Sequence, residues 1–250
     1  MFASPDRRRH FAVGGDPRQG WGSLRPGVSP ALLGVVAAVL SACGPSRPAV
    51  VGPLPEAATS AGALERGTAL EGPARIDFSW RLNEAGSRVG GVGVARVEPP
   101  YRARLDLFLD NGETVVAAAL VDNELRLPPG APDDVLPPVE LMWATLGVFH
   151  PMDRATMEGG DRLEGDATRL RYRLVGGEAL HWEVASGEVR ALELLERGSV
   201  VQWVRLTRDG VGAYPASATY RNLIDFRELE ITRDSVKTAP PFDPAIWDPR

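Results

Sequence analysis

From residue 76 onward the chain is written mostly in period two, and that habit restricts its fold more than any other feature. Ile76, Phe78, Trp80 and Leu82 alternate with Arg75, Asp77, Ser79 and Arg81. One side of such an extended segment is apolar and the other wet, as a half-buried antiparallel strand requires. Gly86 closes the first turn, and residues 89–97 follow with Gly90, Gly91 and Gly93 inside them, which suits a strongly bent strand. Residues 101–109 and 114–121 flank Asp110-Asn111-Gly112, the strongest hairpin signal in the chain. Asp122-Asn123 then turns into a short strand over 124–127. The pattern resumes over 168–175, 178–185, 188–196 and 199–207 with glycine at each turn, and closes with 216–222 and 226–236. Roughly ten or eleven short strands in sequence predict a barrel or a strongly curved sheet.

The meander is interrupted once. Residues 128–138 are a Pro-rich loop, and residues 139–147 read as a helix, with proline before it and Gly147 at its end. This helix is apolar on nearly every side, so it must be buried or cover something apolar. Ahead of the strands, residues 56–70 can form a helix that Gly62 and Gly67 weaken. Near the C-terminus, Phe242 to Trp247 is expected to pack back onto the sheet.

The first part of the chain is of another kind. Residues 30–42 carry no charge, yet this run is shorter than the roughly 20 residues a spanning helix needs. It has the length of a secretory hydrophobic region, with Arg25 ahead and small residues behind. Leu40-Ser41-Ala42-Cys43 matches the lipobox of bacterial lipoproteins, in which cleavage precedes a cysteine that carries acyl chains. That match implies a signal peptide over 1–42, lipidation of Cys43, a Pro-rich tether over 43–55 and one domain over 56–250. The alternative, a lone cysteine ending a short core helix, fits Gly44-Pro45-Ser46-Arg47-Pro48 poorly, because that run cannot continue a helix. The stretch ahead of residue 30 is long for a signal, so the expressed protein is expected to begin later than Met1.

Composition narrows the function classes. One cysteine rules out an internal disulfide framework and a zinc cluster of several cysteines. Cleavage removes 42 residues with five arginines and two acids, leaving 208 residues and moving the net charge from -5 to -8. An acidic body with scattered arginines lacks the concentrated basic face of a nucleic-acid binder. It is not drawn to anionic lipid by its own charge either, so the acyl chains would do the holding. His150 and His181 have no near partner for a metal site or a triad, and no Gly-x-Ser-x-Gly elbow is present. Asp161-Arg162-Leu163-Glu164-Gly165-Asp166 lacks calcium-loop spacing and reads as a solvated hairpin. Asp133-Asp134 reads as a polar turn, and Gly90-Gly91-Val92-Gly93 lacks the lysine and helix of a phosphate loop. The expectation is a non-enzymatic chain with no catalytic residue, no metal and no cofactor.

A lipobox, a tether, a helix, successive hairpins, one apolar helical insert and further strands together resemble the LolA/LolB family. The resemblance runs from about Ala74 to the C-terminus and includes Tyr101-Arg102-Ala103-Arg104-Leu105-Asp106-Leu107 with its Asn111-Gly112 turn. It implies a mainly β fold, an open (half) antiparallel β-barrel with a helical lid, which holds acyl chains or lipoprotein and acts as a lipid-anchored monomer on the periplasmic face of the outer membrane. In that family's lipoprotein member an exposed leucine stands beside the glycine of this turn, where this chain has Asn111. Ile76, Phe78, Trp80, Leu82, Leu105, Leu107, Trp182 and Trp203 are either plain core or cavity wall, with Met142, Trp143 and Leu146 as the lid. A cavity for an acyl chain needs apolar area and few polar groups, so it need leave no motif. The alternative role is a scaffold lipoprotein of an envelope assembly that binds a protein partner.

Overall fold

The computed structural model describes residues 47–131, 135–210 and 212–249. The signal peptide, Cys43 and its lipidation, and Asp133-Asp134 lie outside the described residues. Thirteen strands form one sheet: β1 Val50–Pro53, β2 Ala74–Glu84, β3 Ser87–Glu98, β4 Arg102–Leu109, β5 Thr114–Val121, β6 Glu124–Arg126, β7 Thr156–Leu163, β8 Ala167–Arg173, β9 Ala179–Ala185, β10 Glu188–Glu196, β11 Ser199–Thr207, β12 Ser217–Asn222 and β13 Arg227–Thr238. Their order is β1-β7-β8-β9-β10-β11-β12-β13-β2-β3-β4-β5-β6. Neighbours pair antiparallel, and the sheet ends at β1 and β6 without closing. This is the expected mainly β, open half-barrel. Two meanders, β2 to β6 and β7 to β13, are joined where β13 runs beside β2, with Leu229 opposite Leu82 and Ile231 opposite Trp80. Two helices, α1 Ala57–Thr68 and α2 Val139–Thr145, complete the domain.

The period-two stripe does what it predicts. Along β2, Ala74, Ile76, Phe78, Trp80 and Leu82 are buried while Arg75 and Arg81 are exposed. The glycines of β3 explain how the sheet curves there. A methyl at Gly93 would lie 2.3 Å from the Phe78 ring, and one at Gly91 would lie 2.0 Å from the Phe108 carbonyl oxygen. Without side chains at those points, the Trp80 indole N–H donates to the carbonyls of Val92 and Phe108 at 3.0 and 3.2 Å.

Two strands differ from the expectation. β1 takes over part of the stretch expected as tether, so the chain is already in the sheet at Val50. It is short and largely exposed, and it ends on a proline, which only an edge tolerates. β7 holds Gly159, Gly160 and a run of charges, so it shows no alternation, and its pairing with β8 carries a bulge between Met157 and Gly159. Its last residues and the 3-10 turn Glu164–Asp166 form the solvated hairpin read in the sequence.

The termini of the elements are tied down. The Thr68 hydroxyl at the end of α1 donates to Leu64 O and accepts from the Phe149 amide, which links α1 to the segment after α2. The C-terminal turn Pro244–Trp247 lies on β4 and β5, as expected. Arg104 donates to Ile246 O at 2.8 Å, Arg126 donates to Trp247 O at 3.3 Å, and the Arg102 guanidinium lies 5.6 Å over the Trp247 ring.

Candidate functional site: the space between helix and sheet

α2 lies across the inner side of the sheet and buries Leu141, Met142, Trp143 and Ala144. One face of it is fixed by polar and ring contacts at Trp143. The Trp143 indole donates to Asp122 O at 2.6 Å, and its ring meets Tyr101 edge-on at 5.7 Å. His150 stacks on Tyr101 at 3.7 Å, its two ring nitrogens are buried without hydrogen bonds, and burial lowers its pKa below the ordinary value. A neutral imidazole filling a gap between aromatic rings is a structural part.

The end of α2 is shaped by a glycine. Gly147 ends the helix with φ +76°, and its amide bonds to Ala144 O at 2.9 Å. A methyl there would come within 2.5 Å of Arg208 Nη2, so glycine admits that guanidinium against the helix end. Its positive charge complements the negative end of the helix dipole. Arg208 also donates to Ala213 O at 2.7 Å.

Beneath the face of α2 that carries Met142, Thr145 and Leu146 lies an apolar cavity of about 60 Å³. Of the wall and lid residues singled out by sequence, Ile76, Phe78, Leu105, Met142 and Leu146 line it. Trp80, Leu82 and Leu107 are buried away from it, and Trp143 makes its contacts to Tyr101 and Asp122 instead. Trp182 is fully buried in the core, its ring 4.8 Å from that of Phe149. Trp203 belongs to neither group. It lies on the outer side of β11 under two guanidinium groups, Arg205 at 4.7 Å and Arg221 at 5.4 Å. Its place as a wall residue is therefore corrected: one step of the alternation inverts the face, and Val204 and Leu206 are the buried side of that strand.

A wider groove of about 720 Å³ adjoins the cavity. Leu146, Tyr214 and Arg233 line both, and the other walls of the groove come from Gly67 to Ala74 and from Arg208. There Arg233 donates to Tyr214 O at 2.6 Å and bonds to Asp209. Burial pushes the Tyr214 hydroxyl up to about 12, so it stays protonated at neutral pH. Ala218, Ile231, Tyr214, Arg208 and Arg233 are residues of this region that no sequence motif marks. Period two in β12 and β13 could have supplied the first two; the loop before β12 carries no signal that could have supplied Tyr214.

Among the described residues no cluster of three His, Cys, Asp or Glu side chains could hold a metal ion. His181 sits on β9 opposite Glu193 and Arg171, and burial with the Arg169 and Arg171 charges drops its pKa to about 4.

The site is thus an apolar space between a short helix and an open antiparallel sheet. No protein-family model matches the chain, and no curated protein matches it in sequence. Solved structures do match in shape. A DUF1329 family protein from Desulfovibrio piger superposes with a TM-score of 0.53 at 8% identity, over 77% of this chain and 97% of that one. An outer membrane lipoprotein-sorting protein domain from Vibrio parahaemolyticus gives 0.52 at 9% identity, over 76% and 94%. The fold is LolA/LolB-like.

Proposed function

We propose that this chain is a lipid-anchored envelope protein that holds an acyl chain, of lipid or of lipoprotein, between α2 and the sheet. The observation that carries the reading is the apolar cavity under Met142 and Leu146, which shares Leu146 and Tyr214 as walls with a groove open to solvent. At about 60 Å³ the cavity is closed down; a benzene-sized guest needs about 150 Å³. Binding therefore requires the face of α2 that carries Met142 and Leu146 to shift, while Trp143 stays held by its bond to Asp122. Burying an acyl chain there gains about 25 cal/mol per Å² of apolar area. Anchoring through acylated Cys43, by the lipobox, puts the domain where such chains are present, and the lipoprotein-sorting shape neighbour agrees with an envelope location.

The test is a titration of the purified protein with a fluorescent fatty acid. The parent is expected to bind saturably, and the Ala95→Leu/Ala218→Val pair, which fills the cavity from two of its walls, to bind several-fold more weakly with an unchanged circular dichroism spectrum. Equal binding by both proteins would contradict the reading, as would one stable protein partner recovered by crosslinking from a parent that binds no lipid. The latter result would support the scaffold role.

A further inference from the structure

The hairpin turn between β12 and β13 is built to display apolar side chains. Its four residues are Leu223, Ile224, Asp225 and Phe226, and the three hydrophobic ones are 42%, 56% and 81% exposed. The turn is not slack. Asn222 is itself buried, and its side-chain oxygen accepts from the amides of Ile224 and Asp225 at 2.9 and 3.1 Å. Its side-chain nitrogen donates to Asp225 Oδ2 at 2.8 Å, which turns that carboxylate back toward the hairpin base. Leu223 N bonds to Val201 O at 2.9 Å. Phe226 sits at φ +52°, a region costly for a bulky side chain and comfortable for asparagine or glycine. A strained backbone, an engaged carboxylate and a nearly bare phenyl ring make no contribution to the core. Observed strain of this kind points to function.

The flanks add charge. In the sheet order this turn stands between the β10–β11 and β2–β3 turns, at one end of the strands: Glu196 pairs with Ser199, Asn222 with Arg227, Arg227 with Glu84 and Glu84 with Ser87. Arg197 lies on the first of those turns and Arg88 at the start of β3 beside the second, both exposed and neither paired with a carboxylate among the described residues. Val175, 81% exposed on the β8–β9 turn, belongs to the same end. Apolar tips between free arginines match the chemistry of a bilayer interface, where hydrophobic side chains enter the acyl boundary and guanidinium groups meet phosphates. The tip projects from a turn, a shape that enters a fluid interface without a matching pocket. The described N-terminus reaches the base of the same hairpin. Arg47 pairs with Glu193 at 3.0 Å, Glu193 stands opposite Trp203, Trp203 opposite Arg221, and Arg221 is two residues before Leu223.

The geometry points to the β12–β13 turn as a membrane-insertion tip, with Leu223, Ile224 and Phe226 entering a lipid interface and Arg88 and Arg197 contacting its phosphates. This is a second lipid contact, independent of the cavity under α2. It turns the groove, at the opposite end of the strands, away from the docked bilayer.

Protein purified from membranes and reconstituted in phosphatidylcholine–phosphatidylglycerol vesicles tests it. An environment-sensitive dye is attached at Phe226→Cys, or at Ser186→Cys in the β9–β10 turn at the far end. The dye at 226 should emit as in an apolar medium and be quenched by brominated lipid several-fold more strongly than the dye at 186. Leu223→Ser/Ile224→Ser in the 226-labelled protein should cut that quenching several-fold. Phe226→Asn should preserve or raise the melting temperature, since asparagine tolerates the backbone. Water-like emission at 226, or quenching equal at the two sites, would overturn the proposal. So would tip substitutions that leave quenching unchanged, or that abolish only a crosslink to a protein. Fatty-acid binding in the cavity is read separately, so failure of either reading leaves the other standing.

Discussion

The inner side of the sheet is closed in two different ways. Over β8, β9 and β10 the space is filled from within the domain: Trp182, Leu180 and Leu192 have no exposed surface, and the Phe149 ring stands edge-on to Trp182. Over β2, β4 and β12 the cover is Met142 and Leu146 on one face of the helix, Leu105 and Ile231 are only partly buried, and about 60 Å³ stays open. The same period-two stripe therefore makes a packed core on one side and a coverable wall on the other. The difference is whether a large ring is delivered onto the stripe. The Tyr101–Trp143–His150 cluster holds one face of α2, while the neighbouring face rests on a flexible methionine, Met142, suited to varied guests.

Substitutions separate the two regions. Trp182→Ala should cost about 3–5 kcal/mol, the range for removing a large ring from a filled core. Leu105→Ala, beside space that already exists, should cost less than about 2 kcal/mol. Equal losses in chemical denaturation would break the distinction.

A smaller effect comes from His181. Burial and nearby arginines drop its pKa to about 4, against 6.5 unperturbed. The unfolded chain then binds more protons than the folded one between those values, so stability falls as pH drops from about 6.5 to 4 and levels off below. Denaturation midpoints measured across that window should slope in the parent and lose part of the slope in His181→Gln. An unchanged slope would move the cause elsewhere.

The smallest expected change is a gain. Ala218→Val places methyl groups in the cavity and should stabilise by about 0.5–1 kcal/mol, as cavity filling does. A loss would mean that the wall there cannot accept them.

The hairpins β2–β3, β4–β5 and β8 to β11 were legible because alternation combines with turn glycines, two signals set by backbone geometry; β12 and β13 rest on alternation, and the turn between them has no glycine. β1 and β7 were not legible, since an edge strand owes its place to a neighbour and needs no apolar face of its own. α2 was legible from Pro138 and Gly147. Sequence also supplied Ile76, Phe78, Leu105, Met142 and Leu146 as wall and lid, because position on the inner face follows from parity. Parity could not say which inner residues border the space: Trp182 and Ile76 read alike, and the ring of Phe149, distant in sequence, decides between them. For Trp203 parity itself was misjudged. The insertion tip escaped for a plainer reason. Leu223, Ile224 and Phe226 look like core in a sequence, and only the turn places them outside.

A photoreactive fatty acid crosslinked to the protein tests the lid-and-wall account most directly. Peptide mapping should find the label in residues 139–148 and in β12–β13 residues such as Ala218 and Ile231, with labelling suppressed in Ala95→Leu/Ala218→Val. Label confined to the exposed turns, with residues 139–148 untouched in the parent, would contradict an acyl site beneath α2.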